Sequence, residues 1–220
     1  MNAALSPEAV DIPFGSLTLH GDLVVPSCPH GLVIFAHGSG SSRFSPRNQL
    51  VAKVLQRRGF GTLLIDLLTA QEESVDVYTR QYRFDIPRLA SRIAGAREWA
   101  RIVPEVGDVK VGYFGASTGA AAALVAAAER PGDVNAVVSR GGRPDLAGMS
   151  LHHVTAPTLL IVGSADVDVI ELNKDARRRM SAVTNLQIVQ GATHLFEEPG
   201  TLEEVERLAG DWFERYLTPV

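Results

Sequence analysis

The stretch that most constrains the fold of this chain is residues 109–128, VKVGYFGASTGAAAALVAAA. An apolar run rich in β-branched and aromatic residues leads into GASTG at 115–119, and an alanine-rich segment follows. This order predicts a buried strand, a tight turn with Ser117 at its apex, and a helix lying close against the sheet. A chance GASTG sequence in a loop is the competing interpretation, and the flanking strand and helix argue against it. A serine held in a strained turn is typical of a functional site.

The composition of the chain limits the classes of protein to which it can belong. The chain has 220 residues, of which 45% are hydrophobic, enough for a full core. We therefore predict one domain over 1–220, with residues 1–12 as a loose leader. The net charge of −4 gives no reason to expect nucleic acid or an anionic membrane as a partner. The single cysteine, Cys28, cannot form an intramolecular disulfide, which is consistent with a reducing compartment. We find no signal peptide and no membrane-spanning stretch, and we predict a cytoplasmic protein.

The rest of the chain alternates between strand and helix patterns. An antiparallel hairpin is predicted from Leu17, Leu19, Leu23 and Val25, which flank a break at 20–22; the hairpin ends at Pro26. Residues 67–84 are polar and are expected to form an irregular loop that borders a site or is mobile. The last helix shows a capping-box pattern, Thr201 with Glu204. Strands are predicted over 31–36, 62–65, 109–116, 134–138, 158–162 and 186–189, and helices over about 47–58, 85–103, 118–128, 146–154, 169–180 and from 201 onward.

This alternation predicts an α/β fold with a mostly parallel, twisted sheet, helices on both faces and an N-terminal antiparallel hairpin. In such sheets ligands bind at the carboxyl ends of the strands. The polar motifs of this chain all follow predicted strands, so we expect them to share one edge. They are the segments 37–42, 115–119, 139–145, 163–166 and 191–194.

Ser117, Asp166 and His194 are predicted to form a catalytic triad. A serine hydroxyl needs a base to take its proton, and the base needs a carboxylate to orient it. On this kind of sheet the chain order is serine, acid, histidine, and these residues follow successive strands in that order. Asp168 and Asp145 are rival candidates for the acid, and Asp166 is favoured because it follows its strand most directly. The competing interpretation of His194 is an ordinary loop histidine.

Two backbone N–H groups are expected to bind the oxyanion that forms when the serine attacks a carbonyl. One is that of Thr118, and the other is that of Ser39 or, as the second choice, Gly38. His37 is interpreted as a brace for this loop rather than as an acid or base. We predict no metal site, because His152 and His153 are adjacent and lack partner ligands at suitable spacing. No cofactor is predicted.

Taken together, the HGSGSS loop, the GASTG turn, the GSAD loop and the GATH loop resemble those of the α/β-hydrolase superfamily. The short form, without a large cap between 145 and 157, is similar to the dienelactone hydrolase-like branch. It is especially similar to bacterial hydrolase domains that occur alone or fused to a phosphoribosyltransferase. The resemblance implies an α/β-hydrolase fold with a minimal cap and triad roles for Ser117, Asp166 and His194. Dienelactone hydrolase itself uses a cysteine nucleophile, so Ser117 favours general carboxylesterase chemistry.

The resemblance also implies that arginines hold a substrate carboxylate, as enzymes of that branch often do. The candidates are Arg43, Arg140 and Arg143. A bidentate guanidinium suits this task. The alternative is that these arginines form ion pairs with Asp145 or Glu197.

The leading hypothesis is a serine hydrolase for small esters, lactones or thioesters, with a small-molecule ester as its partner. Acyl transfer to an acceptor other than water would use the same residues. A dinucleotide-binding oxidoreductase is a weaker hypothesis, based on Gly38-x-Gly40 and on Asp66 at the end of the next strand, because Arg43 occupies the third glycine position. A non-catalytic binding module is the third. The sequence is compatible with a homo-oligomer.

Overall fold

A computed structural model describes residues 6–219, and its eight strands form one sheet in the order β1-β2-β4-β3-β5-β6-β7-β8. The strands are β1 Glu8–Phe14, β2 Leu17–Val24, β3 Leu32–Ala36, β4 Gly61–Ile65, β5 Val111–Ala116, β6 Ala136–Arg140, β7 Thr158–Gly163 and β8 Thr184–Val189. The helices are α1 Pro46–Arg57, α2 Ala70–Thr79, α3 Ile86–Ala100, α4 Thr118–Glu129, α5 Val167–Arg179 and α6 Thr201–Leu217, with a 3₁₀ segment at Pro144–His153.

The sheet is parallel from β4 through β3, β5, β6 and β7 to β8. The strand β2 is antiparallel to both of its neighbours, β1 and β4, and it joins the hairpin to the parallel strands. Every residue of β3, β4, β5, β6 and β7 is buried. Burial on both faces explains the unbroken apolar runs of these strands. The predicted fold class is confirmed.

Helices cover both faces of the sheet and enclose two hydrophobic clusters. On one face α3, α4 and the 3₁₀ segment pack around residues such as Leu89, Ile93 and Leu124. On the other face α1 and α6 contribute Leu55 and Phe213. The alanines of α4 are buried from 120 to 127. Small side chains let this helix approach the sheet closely, which fixes the position of its first residue, next to Ser117.

The N-terminal hairpin differs from the prediction. Residues 8–12, assigned to a loose leader, belong to β1, while residues 1–5 of that leader lie outside the described residues. The chain turns at 15–16, where Gly15 has a positive φ of 59°, and the predicted break at 20–22 lies inside β2. Gly21 has Leu63 and Val10 side chains close by, so its role is close strand packing rather than a turn.

The prediction of an irregular loop over 67–84 was wrong, because this segment contains α2. Its start is a capping box: the Thr69 hydroxyl accepts from the Glu72 N–H, and the Glu72 carboxylate accepts from the Thr69 N–H. Asp76 is the only buried residue of α2. Because no apolar stripe faces the core, hydrophobic periodicity could not reveal this helix.

The predicted capping box of the last helix was also wrong. Gly200, with a φ of 82°, precedes the first residue of α6, and no side chain of the described residues caps this helix. The Thr201 hydroxyl instead donates to the Glu198 carbonyl at 2.7 Å.

Within residues 6–219, no helix has the length and apolar character needed to cross a bilayer.

Candidate functional site

The backbone at Ser117 is strained, as the GASTG turn predicts. Ser117 has a φ of 50° and a ψ of −118°, a conformation that non-glycine residues rarely adopt. A Cβ atom at Gly119 would collide with the carbonyl oxygens of Ala36 and His37, and one at Gly115 would collide with the backbone of Ala120. Both glycines are therefore required by close backbone approach. The turn sets Ser117, which is half-buried, above the end of β5.

Hydrogen bonds between two neighbouring loops bring the acid and the histidine together. The N–H groups of Ser164 and Ala165 donate to the carbonyls of Val189 and Ala192 at 2.9 and 3.0 Å. In the opposite direction, the Gly191 N–H donates to the Ser164 hydroxyl at 2.9 Å. These bonds join the loop after β7 to the loop after β8.

Asp166 and His194 contact each other directly. His194 Nδ1 lies 2.6 Å from Asp166 Oδ2, and the Asp166 side chain is the less exposed of the two. Asp166 occupies the N-cap position of α5 but makes no side-chain cap bond. Its carboxylate is thus committed to the imidazole. Of the rival acids, Asp168 is exposed and Asp145 is paired with Arg143.

The segment 140–143 is hydrogen-bonded to Ser117 and lies next to His194. The Ser117 N–H donates to the Arg140 carbonyl at 3.2 Å, and the Ser117 carbonyl accepts from the Arg143 N–H at 3.1 Å. A Cβ atom at Gly141 would lie 3.5 Å from Nδ1 and Cε1 of His194. Ser117 and His194 therefore both adjoin the residues at the carboxyl end of β6, and Asp166 is linked to this point by its contact with His194. No hydrogen bond joins the Ser117 hydroxyl to His194 within residues 6–219, and such bonds often tighten only when substrate is bound.

The candidate oxyanion loop lies directly beside the serine. A Cβ atom at Gly38 would lie 3.2 Å from the Cβ of Ser117. Thr118 is the first residue of α4, where helical N–H groups lack intrahelical acceptors. Ser39 follows Gly38 and is exposed. The N–H groups of the predicted donors thus belong to segments that flank Ser117.

His37 holds this loop in place through both ring nitrogens. Nε2 accepts from the Leu67 N–H at 3.0 Å, so the proton is on Nδ1, which donates to the Gly38 carbonyl at 2.8 Å. Burial lowers the pKa of His37, outweighing the opposing effects of the Gly38 hydrogen bond and the Asp66 charge. A neutral imidazole fixed in this tautomer links the loop after β3 to the loop after β4. These contacts support the interpretation of His37 as a brace.

The three candidate arginines differ in what they contact. The guanidinium and the backbone N–H of Arg43 both bind the Asp66 carboxylate. Arg43 Nε also lies 3.4 Å from Asp22 Oδ1. Arg143 forms a bidentate pair with Asp145 at 2.8 Å. These ion pairs argue against both as substrate ligands. Arg140 is buried, and its Nε and Nη1 have no hydrogen-bond partner in the described part of the chain.

A cavity of about 530 Å³ opens beside the loop after β3. His20, Ser42, Arg43, Asp66 and Glu73 contribute to its wall, whereas Ser117 and His194 do not. Glu73 belongs to the unpredicted helix α2. Helix α2 therefore borders the edge on which the site lies, and no apolar pattern in its residues predicts it.

The described residues do not support the dinucleotide alternative. The Asp66 carboxylate is bound by Arg43, and α1 begins only at Pro46, ten residues after β3 ends at Ala36. His152 and His153 are exposed. Among residues 6–219, no three His, Cys, Asp or Glu side chains are grouped so that they could hold a metal ion.

Comparisons with known proteins agree on the fold. A model of the dienelactone hydrolase family matches residues 20–218. A crystal structure of dienelactone hydrolase from Anabaena variabilis ATCC 29413 is 57% identical, with a TM-score of 0.95 over 97% of this chain and 99% of that one. Est1E from Butyrivibrio proteoclasticus is 16% identical, with a TM-score of 0.77 over 94% and 98% of the two chains, and shares the fold.

A longer relative carries a different name. A Mycobacterium tuberculosis H37Rv protein called "Putative phosphoribosyl transferase" is 55% identical over 213 residues, which are 97% of this chain and 47% of that protein. This chain thus spans about half the length of the curated relatives that it matches.

Proposed function

Because the chain belongs to the dienelactone hydrolase family, we propose that it is a serine hydrolase that cleaves small carboxylic esters, lactones or thioesters. The observation that carries this proposal is the 2.6 Å contact between Asp166 and His194, together with a serine in a strained turn that adjoins the same segment, 140–143, as the histidine does. The name of the longer relatives describes proteins of about twice this length. We assign to this chain only the chemistry that its own residues support.

In the proposed reaction the Ser117 hydroxyl attacks the substrate carbonyl while His194 Nε2 takes its proton. Asp166 accepts a hydrogen bond from Nδ1, which leaves Nε2 unprotonated and able to act as the base. The carboxylate also stabilises the imidazolium that forms. Collapse of the tetrahedral intermediate expels the alcohol, which receives the proton from His194, and leaves an acyl group on Ser117.

The N–H groups of Thr118 and of Ser39 or Gly38 are proposed to stabilise the oxyanion. Support comes from Gly38, whose backbone packs against Ser117, and from the start of α4 at Thr118. Loss of one such donor typically costs about 3–4 kcal/mol of transition-state stabilisation.

Deacylation follows in a second step. A water molecule, activated by the same histidine, attacks the acyl-enzyme and releases the acid.

Pre-steady-state kinetics test this proposal. With p-nitrophenyl acetate the wild type is expected to release a burst of p-nitrophenol equivalent to one site, and Ser117→Ala is expected to release none. A fluorophosphonate probe should label the wild type only. Ser181→Ala, at an exposed serine away from the site, is the matched control and should keep both the burst and the labelling. An unchanged burst in Ser117→Ala would overturn the assignment.

A further inference from the structure

Asn173 is a buried polar residue at a position of helix α5 where an apolar residue is expected. The buried residues of α5 are Val169, Asn173 and Ala176, which share one face of the helix. Asn173 has no exposed surface. Asparagine is a poor helix former, and burying its amide costs free energy unless the amide is hydrogen-bonded. The contacts of this side chain therefore have to account for its presence in the helix.

The side-chain amide of Asn173 binds two carbonyl oxygens. Nδ2 donates to the Val169 carbonyl in its own helix at 2.8 Å and to the Gly142 carbonyl at 3.0 Å. Because both partners can only accept, the NH₂ group must be the one that faces them. Oδ1 has no hydrogen-bond partner among residues 6–219. Half of the amide is thus unsatisfied, and the specific contribution of Asn173 is the bond that joins α5 to Gly142.

Gly142 is buried and enclosed on two further sides. A Cβ atom at this position would collide with the Ser139 hydroxyl oxygen and would lie 2.7 Å from the Cβ of Ala120. Ser139 belongs to β6, and Ala120 lies in the first turn of α4, the helix that follows the candidate nucleophile. The backbone at 142 is therefore packed between β6 and α4, and Asn173 supplies a hydrogen bond to it from α5.

The segment 140–143, to which Asn173 is bonded, adjoins both Ser117 and His194. Its hydrogen bonds with the N–H and the carbonyl of Ser117, at 3.2 and 3.1 Å, are made by the residues at its two ends. Gly141 has a positive φ of 52° and lies next to the His194 ring. A shift of this segment would therefore move the turn that carries the serine, the wall beside the imidazole, or both.

We infer that Asn173 is a positioning residue for the proposed triad. Its amide fixes the segment 140–143, and this segment sets the position of Ser117 relative to His194. Asp166 directly precedes α5, so the same bond also couples the helix after the acid to the nucleophile. The inference rests on the proposed function and adds a residue outside the set that touches the reacting atoms. Because a displacement of about 1 Å can lower a rate about 100-fold, loss of this bond should lower kcat.

Two substitutions separate the two hydrogen bonds of Asn173. In Asn173→Ser the hydroxyl can still donate to the Val169 carbonyl, four residues earlier, but it is too short to reach Gly142 as well. Asn173→Ala removes both bonds. With p-nitrophenyl acetate, kcat should fall about 10- to 100-fold in both variants, while KM should change less than about threefold. A fluorophosphonate probe should still label Ser117 completely, but more slowly, which distinguishes a displaced site from a smaller folded fraction.

Asn135→Ser is the matched control. The Asn135 side chain accepts from the Val111 N–H at 3.0 Å, at the start of β5 and so at the opposite end of the sheet from Ser117. This variant should lower the Tm and keep the wild-type kcat, as expected of a purely structural bond. Should Asn173→Ala fail to fold, Asn173→Ser decides the test. If neither variant folds, the inference is overturned, because Asn173 is then required by the fold itself.

Hydrogen exchange tests the positioning without catalysis. The N–H groups of Ser117 and Arg143 should exchange faster in Asn173→Ser than in the wild type, because they take part in the bonds between the turn and the segment 140–143. The Ser164 N–H, which donates to the Val189 carbonyl, should exchange at the wild-type rate.

The outcomes for Asn173 and for the hydrolase proposal can be told apart. If the wild type shows neither a burst nor labelling but exchange is faster in Asn173→Ser, the hydrolase proposal has failed and the positioning of Ser117 by Asn173 stands. If the wild type is active and the folded Asn173 variants keep its kcat, or if exchange at Ser117 and Arg143 is unchanged, the inference is overturned and the hydrolase proposal stands.

Discussion

The Asp166 carboxylate contacts His194 Nδ1 at 2.6 Å instead of capping α5, the helix that it precedes. Aspartate at an N-cap position normally accepts hydrogen bonds from the first N–H groups of its helix. Here that stabilisation is absent, and the carboxylate orients an imidazole. This geometry supports the proposed catalytic role of the Asp166–His194 pair.

Replacing Asp166 should therefore lower catalysis without a large cost in stability. In Asp166→Asn the imidazole loses the partner that fixes its tautomer, so kcat for p-nitrophenyl acetate should fall by about 10⁴-fold, as is typical for the acid of a triad. Asp168→Asn, two residues on and exposed, is the control and should keep nearly full activity. Comparable losses in the two variants would count against Asp166.

His37 should make the folded state less stable in acid. Its pKa is lowered in the folded protein, so the unfolded chain binds its proton more readily. As the pH falls below the ordinary value of about 6.5, stability should be lost progressively toward the folded pKa. His37→Gln should show a smaller fall in Tm between pH 7 and pH 5 than the wild type. His152→Gln, a control at an exposed position, should show the same fall in Tm as the wild type.

Two glycines near Ser117 should respond differently to alanine. Gly119→Ala places a methyl group against the carbonyl oxygens of Ala36 and His37, and backbone cannot move aside cheaply, so we expect little folded protein. Gly38→Ala adds a methyl group 3.2 Å from the Cβ of Ser117, which a small shift can accommodate. Circular dichroism should find Gly38→Ala folded, and kinetics should find its kcat reduced. Equal expression and Tm for both variants would contradict the geometry.

The position of α2 should depend on Arg92. This side chain is 1% exposed and binds Glu72 through both terminal nitrogens. Burial alone would raise the pKa of Glu72, but hydrogen bonds from Arg92 and Thr69 outweigh it and lower the pKa to about 2. Arg92→Met should cost roughly 3 kcal/mol in urea unfolding, because one partner of a buried pair is removed. Arg88→Met, more exposed, should cost much less, and Glu72→Gln/Arg92→Met should recover part of the loss.

The parallel sheet and the turn at Ser117 could be predicted because their signals are local. Fully buried strands need continuous apolar runs, and the turn needs glycine on both sides of the serine. The order of polar loops after successive strands also brings Asp166 and His194 to one edge. Periodicity, however, says nothing about a helix such as α2, whose buried contact is the carboxylate of Asp76 rather than an apolar stripe.

The partners of the candidate arginines could not be predicted from the sequence, because they depend on contacts between segments that are distant along the chain. Arg43 meets Asp66 and Asp22 only after β2 and β4 pair in the sheet. Arg140 looks like the others as a residue type, and only its burial without a counter-ion among residues 6–219 distinguishes it. The ion pair of Arg47 could not be predicted, because its partner Glu197 lies 150 residues away in the sequence.

The most direct test of the central proposal is the mass of the protein during turnover. Rapid acid quenching after mixing with p-nitrophenyl acetate, followed by peptide mapping, should find one acetyl group on Ser117, and it should accumulate in His194→Ala only very slowly. Wild-type protein that hydrolyses the ester with no adduct at Ser117, or with the adduct on another residue, would contradict the account.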